Sequence, residues 1–153
     1  MTDERGCLVG PFGVMLHEPA VGRRLQELGS ALRFEVEISE RLREIAILAV
    51  ASVTACEFER YAHERIGLAA GLSPVELEQL AAGTFEGADA QEAAVHRFCR
   101  SLAEKVPSLD ESAYQELRDV LGEALIVDLV VLAGYYVTLA HLLAVFDVPT
   151  PSH

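Results

Sequence analysis

The sequence predicts an all-α protein: a single-domain bundle of about six to seven helices. Three observations predict it. Ala, Leu, Val and Glu dominate the composition, a mix that favours helix over strand. Helix start and stop signals recur along the chain, with apolar residues between them at intervals of three and four. No stretch alternates apolar and polar residues with the period of two that a strand needs. The length of 153 residues suits one domain, 1–153, and 51% apolar residues exclude a disordered chain.

The opening segment, 1–13, has Gly and Pro punctuation and reads as an irregular arm. Pro19 can occupy the first turn of a helix running to about Arg33, with Val21, Leu25, Leu28 and Leu32 as its apolar face. Ser39 caps the next helix, on which Leu42, Ile45, Ala46 and Ala49 form the apolar side. Thr54-Ala-Cys-Glu57 has capping-box spacing, which predicts a break and a new helix carrying Cys56 through Ala70. Gly71 ends it. Ser73-Pro-Val-Glu76 combines a capping box with a first-turn proline, and Gly83 closes that helix. Asp89-Ala-Gln-Glu92 opens a helix to about Lys105. Asp110 or Ser112 caps another to Leu121. The last helix runs from Glu123 to about Phe146, where Pro149 and Pro151 stop it.

The formal net charge is −12. That argues against nucleic acid, whose phosphates need clustered Lys and Arg, and against anionic membrane surfaces. The stretch 129–146 is apolar apart from Thr138 and His141 and approaches the length of a membrane span. It lacks a basic flank. A helix apolar all round fits a core, or a core completed by a partner subunit. The three cysteines, Cys7, Cys56 and Cys99, are widely spaced and form no C-x-x-C or zinc pattern, so no metal is expected. The N-terminus has no signal-peptide pattern, and the expected compartment is the cytoplasm.

The chemistry-bearing residues cluster around one helix. Cys56 and His63 point nearly the same way but stand two turns apart, roughly 10 Å along the axis. Glu59 lies between them, four residues before His63, within side-chain reach of it. Glu44, one helix earlier, joins them only if the two helices pack together. A carboxylate beside an imidazole can orient the ring and support the imidazolium. Arg60, or Arg41 one turn before Glu44, could hold a substrate carboxylate.

Each of these residues also has a plain structural reading. A Glu–His pair at this spacing is commonly a solvated surface pair, and a lone Cys is commonly a small buried hydrophobe. The first helical turn would lower the Cys56 pKa, while Glu57 and Glu59 would raise it. Cys7 reads as a thiol on the arm and Cys99 as a core residue. His17 reads as local structure before a helix, His96 as a surface or core-edge residue, and His141 as a core or interface residue. Tyr135 and Tyr136 read as packing residues or pocket walls, with Tyr136 a candidate substrate contact. Asp128 suits the start of the last helix.

The string Leu42-Arg-Glu-Ile-Ala-Ile-Leu48, then Cys56-Glu-Phe-Glu-Arg-Tyr-Ala-His63, then Gly71-Leu-Ser-Pro74, resembles the core of the carboxymuconolactone decarboxylase family. Pro11 to Pro19, Gly134-Tyr-Tyr136 and Phe146-Asp-Val-Pro149 extend the resemblance over most of the chain. The family includes alkylhydroperoxidase D, whose active helix follows E-x11-C-x2-C-x3-H. Glu44, Cys56 and His63 fall on the Glu, the first Cys and the His; Glu59 stands at the second Cys. The resemblance implies an all-α fold with an antiparallel helical core, an oligomer commonly assembled as trimers or hexamers, with sites near subunit interfaces. The dithiol peroxidases use one cysteine to attack peroxide and the other to resolve the sulfenic acid, which Glu59 cannot do. The decarboxylases work without a cysteine pair, and Glu59-x-x-x-His63 is closer to their pattern.

Three functions compete. The first is acid–base chemistry on a small organic acid, lactone or activated carbonyl compound. There His63 shuttles the proton, Glu59 or Glu44 orients it, and no cofactor is needed if the substrate delocalises the developing carbanion. The second is a thiol peroxidase using Cys56 and an external resolving thiol. The third is an oligomeric ligand-binding protein without turnover.

Overall fold

The computed structural model describes residues 8–151, so Cys7 lies outside the described residues. Among these it has eight helices and no strand: α1 Pro11–Met15, α2 Pro19–Phe34, α3 Glu40–Thr54, α4 Glu57–Ala69, α5 Pro74–Ala82, α6 Ala90–Glu104, α7 Glu111–Leu121 and α8 Glu123–Val145. The sequence expectation of six to seven helices and an irregular arm to residue 13 missed α1. Proline at its first position pre-sets the backbone, and Pro11, Val14 and Met15 are buried. Gly10 leads into it at φ 69°, with the Phe58 ring so close that any side chain at residue 10 would collide with it.

The caps show why the helices begin where they do. Ser39 accepts a hydrogen bond from the Leu42 amide, Asp89 from Glu92, and Asp110 rather than Ser112 from Ala113. Ser73 and Glu76 form the reciprocal capping box of α5. The box expected at Thr54–Glu57 does not form. Thr54 ends α3, and its hydroxyl donates back to the Val50 carbonyl. Ala55 then takes a left-handed conformation, φ 52°, and the Cys56 side chain makes no cap hydrogen bond.

The central element is α3. Every residue from Arg43 to Ala51 is buried, a wider apolar surround than the single face read from the sequence, and α4, α5, α6 and α8 pack around it. Cys99 of α6 and Leu129 and Leu132 of α8 complete the core. Three helices are locked together by one side chain. Arg41 donates to the Glu92 carboxylate of α6, to the Glu76 carboxylate of α5, and to the Gly71 carbonyl before α5. Arg41 is therefore fully engaged in this clamp, not available to a substrate as the sequence allowed.

The face of α2 is rotated from its expected position. Val21 and Leu28 are exposed, while Gly22, Leu25, Gly29 and Leu32 turn inward. Two glycines seven residues apart allow the close approach. A side chain at Gly22 would strike the Met15 backbone, and one at Gly29 would meet the Tyr135 hydroxyl.

By length and composition α8 could cross a membrane. Eight of its side chains are nevertheless buried against the rest of the bundle, Tyr135 and Tyr136 among them. A second stripe, Val127, Val131, Gly134, Thr138, His141 and Val145, faces outward. His141 is thus exposed in the subunit, not in its core. His96, read as a surface or core-edge residue, is almost fully buried against Phe85. Burial lowers its pKa to about 4, so it is neutral at pH 7. His17 stacks on Phe146, a local structural contact.

Candidate active site

The turn at Ala55–Cys56 folds α4 back onto α3, and this brings Glu44 to His63. The Glu44 Oε2 atom lies 2.6 Å from His63 Nδ1. On the other side of the ring, Glu59 Oε2 lies 3.4 Å from Nε2. All three side chains are nearly inaccessible: Glu44 is 1% exposed, Glu59 4% and His63 5%. The surface-pair reading of Glu59 and His63 therefore fails. Burying two acids and a histidine is costly unless they pair with one another, and here they do.

The pairing sets the protonation of His63. Burial is the largest influence and disfavours the imidazolium. The hydrogen bonds and charges of Glu44 and Glu59 together outweigh it and hold the pKa above the ordinary histidine value. A carboxylate can only accept, so Nδ1–H donates to Glu44 over a short, charge-assisted contact. The Nε2 proton has the longer contact and is the one free to transfer. Glu44 is itself backed by Arg43, whose Nε lies 3.8 Å from Glu44 Oε1 and whose terminal amine donates to the Arg33 carbonyl at the end of α2.

A cavity of about 150 Å³ opens beside the ring. Arg33, Phe58, Glu59, His63, Tyr135 and Tyr136 contribute to its wall. Tyr136 meets His63 edge to face, with ring centroids 5.3 Å apart. Burial drives the Tyr136 phenol far above its ordinary pKa, so it remains a neutral donor and a wall of the pocket. Glu44 does not line the cavity. Glu59, the partner of Nε2, does line it.

The structure separates the remaining candidates from this pocket. Cys56 lines a different cavity, of about 130 Å³, together with Ala51, Arg60 and Leu77. Burial pushes its thiol pKa up, and the amides of Glu59 and Phe58 only partly oppose this. Arg60 donates to Glu64 at 2.8 Å and does not line the His63 pocket. The cation in the pocket is Arg33, which sequence reasoning missed. The signal was present: Arg33 lies four residues after Gly29, on the side of α2 that the glycines bring close to α8.

A profile of the carboxymuconolactone decarboxylase family matches residues 19–98, just over half of the chain. The chain belongs to the carboxymuconolactone decarboxylase family. The match takes in α2 through most of α6 and therefore Arg33, Glu44, Cys56, Glu59 and His63. Tyr135 and Tyr136, on α8, lie beyond it. Comparison with curated proteins finds no match. Within the family, the all-α architecture agrees with the sequence expectation, and Glu59 occupies the place between Cys56 and His63 where a dithiol peroxidase would need its second thiol.

Proposed function

We propose that this chain is an acid–base enzyme of the decarboxylase type, acting on a small organic acid, lactone or activated carbonyl compound. The observation that carries the reading is the bracketed imidazole: Nδ1 fixed by Glu44, Nε2 paired with Glu59, and both His63 and Glu59 lining the cavity while Glu44 does not. In a decarboxylation the bond from carbon to the leaving carboxylate breaks and releases carbon dioxide. The electron pair passes into the adjacent carbonyl or lactone system. His63 then delivers its Nε2 proton to the carbanionic carbon, and water restores the proton. Glu44 compensates the positive ring in the protonated state and keeps Nδ1 protonated in the neutral one. Nε2 can thus serve as acid and base in turn.

The thiol peroxidase reading has less support, because Cys56 is outside this pocket and its pKa is raised. The test is turnover of a panel of small lactones and β-carbonyl acids by wild type, His63→Ala and Cys56→Ser. The acid–base reading expects His63→Ala to lose activity and Cys56→Ser to keep most of it. Thiol-dependent peroxide turnover lost in Cys56→Ser would transfer the assignment to the peroxidase.

We also propose that the subunit assembles into a homo-oligomer, a trimer or hexamer, through the outward stripe of α8. Val127 and Val131 are 60% and 38% exposed there, and residues spaced alternately by four and three form the kind of seam that a second helix covers.

A further inference from the structure

The buried triad leaves an electrostatic problem for an anionic substrate. With His63 protonated, Glu44 and Glu59 would still give the triad a net charge of −1, in a chain whose formal charge is already −12. An acid entering the cavity meets Glu59 at its wall and needs a compensating cation. Besides His63, whose charge Glu44 and Glu59 already engage, Arg33 is the one cationic side chain among the cavity's lining residues. Its neighbours in charge type are committed elsewhere: Arg41 to Glu76 and Glu92, Arg43 to the Arg33 carbonyl beside Glu44, Arg60 to Glu64. Among the described residues Arg33 makes no salt bridge. Its guanidinium carbon lies 5.8 Å from the Phe34 ring centroid, and the residue is exposed at the cavity's edge.

The rest of that cavity wall supports the same use. Gln26, Gly29, Ser30 and Arg33 are spaced by three, one and three residues, so one face of α2 presents an amide, a hydroxyl and a guanidinium to the space. Gly29 keeps this face tight against Tyr135. The cavity volume, about 150 Å³, matches a single small ring. Resting on the acid–base reading of this pocket, we propose that Arg33 is its specificity-determining residue, holding a carboxylate of a small acid whose reacting part fills the cavity. The remainder of the ligand then lies toward His63 Nε2. The anchored carboxylate is one that persists through the reaction, since ion pairing stabilises the anion and opposes its loss.

Benzoate and benzamide test this directly, because they share size and shape and differ in charge. Calorimetric affinities are measured for wild type, Arg33→Met and Arg33→Lys, with circular dichroism as the folding control. Wild type should prefer benzoate by roughly tenfold or more, the range for a hydrogen-bonded ion pair. Arg33→Met should erase that preference, weakening benzoate far more than benzamide, and Arg33→Lys should keep part of it, because a single ammonium replaces a two-pronged donor. Equal binding of the two probes by wild type, binding of neither, or an undiminished preference in Arg33→Met overturns the proposal. The acid–base reading is judged separately, by turnover in His63→Gln. An undiminished preference in Arg33→Met alongside lost turnover in His63→Gln removes Arg33 and leaves the proton chemistry intact.

Discussion

Glu44→Gln isolates what the buried carboxylate does for His63. The amide is nearly isosteric and its oxygen can still accept from Nδ1–H, so the ring keeps its tautomer and loses only the charge behind it. Glu44 Oε2 and Nδ1 are 2.6 Å apart and both side chains are almost fully buried, so solvent screens the pair weakly. Hydrogen bonds to charged groups contribute about 1.5–3 kcal/mol, and one pKa unit corresponds to about 1.4 kcal/mol. The His63 pKa should therefore fall measurably in Glu44→Gln, because the largest opposing influence, burial, stays while the Glu44 charge is lost. The sign of the stability effect follows. A raised histidine pKa stabilises the fold below the unfolded value, near 6.5, and that contribution disappears as pH rises through the folded value. Wild type should exceed Glu44→Gln in stability most at about pH 6 and least in alkali, apart from a constant packing difference. Imidazole-nitrogen NMR titration reads the pKa, and urea denaturation at pH 6 and pH 9 reads the linkage. A His63 that titrates in Glu44→Gln within a few tenths of a unit of wild type would refute the role assigned to Glu44.

Three further outcomes are expected. Arg41→Met removes the clamp joining α3, α5 and α6 and should destabilise the fold by roughly 2 kcal/mol at pH 7. Arg41 and the Ser73 cap pull the Glu76 pKa down to about 2, and Arg41 also lowers that of Glu92. The stability these acids add is present above their unfolded pKa and is lost as pH falls toward 2, so denaturation midpoints of wild type and variant should converge in acid. Gly29→Ala places a methyl group within 2.2 Å of the Tyr135 hydroxyl position. It should cost about 1–3 kcal/mol by overpacking and reshape the cavity wall, with thermal denaturation and benzoate binding as readouts. Val131→Glu should shift the assembly toward smaller species in light scattering, since it introduces a charge into the outward stripe of α8.

Helix boundaries were legible because they are encoded locally. Ser39, Ser73, Asp89 and Asp110 each cap the helix that follows, and Gly83 ends one. The break before α4 was placed correctly for a reason that does not hold: Ala55 turns the chain, and Thr54 bonds backward into α3. The site was legible where spacing within one helix decides geometry, as for Glu59 and His63. Glu44 came from the family resemblance, and only the fold shows that it sits 2.6 Å from the ring. The cationic side chain beside the pocket was not legible, because Arg60 and Arg41 are near the motif in sequence while Arg33 approaches the pocket through helix packing. Counting apolar residues assigned α2 the wrong face, since its inward positions include two glycines that no hydrophobic count detects. Cys56 and His63 were expected on one face of one helix; the left-handed turn makes Cys56 a cap and turns it toward a different cavity.

The proton transfer proposed for His63 can be followed directly. Turnover of a β-carbonyl acid in deuterated water, followed by proton NMR, reports both the rate and the position at which solvent deuterium enters the product. Wild type should place deuterium on the carbon that loses carbon dioxide. Folded His63→Gln should be slower by roughly a hundredfold or more, the scale for losing a general acid–base group. A folded His63→Gln protein that turns over at the wild-type rate, with the same deuterium incorporation, would contradict a proton-transfer role for His63.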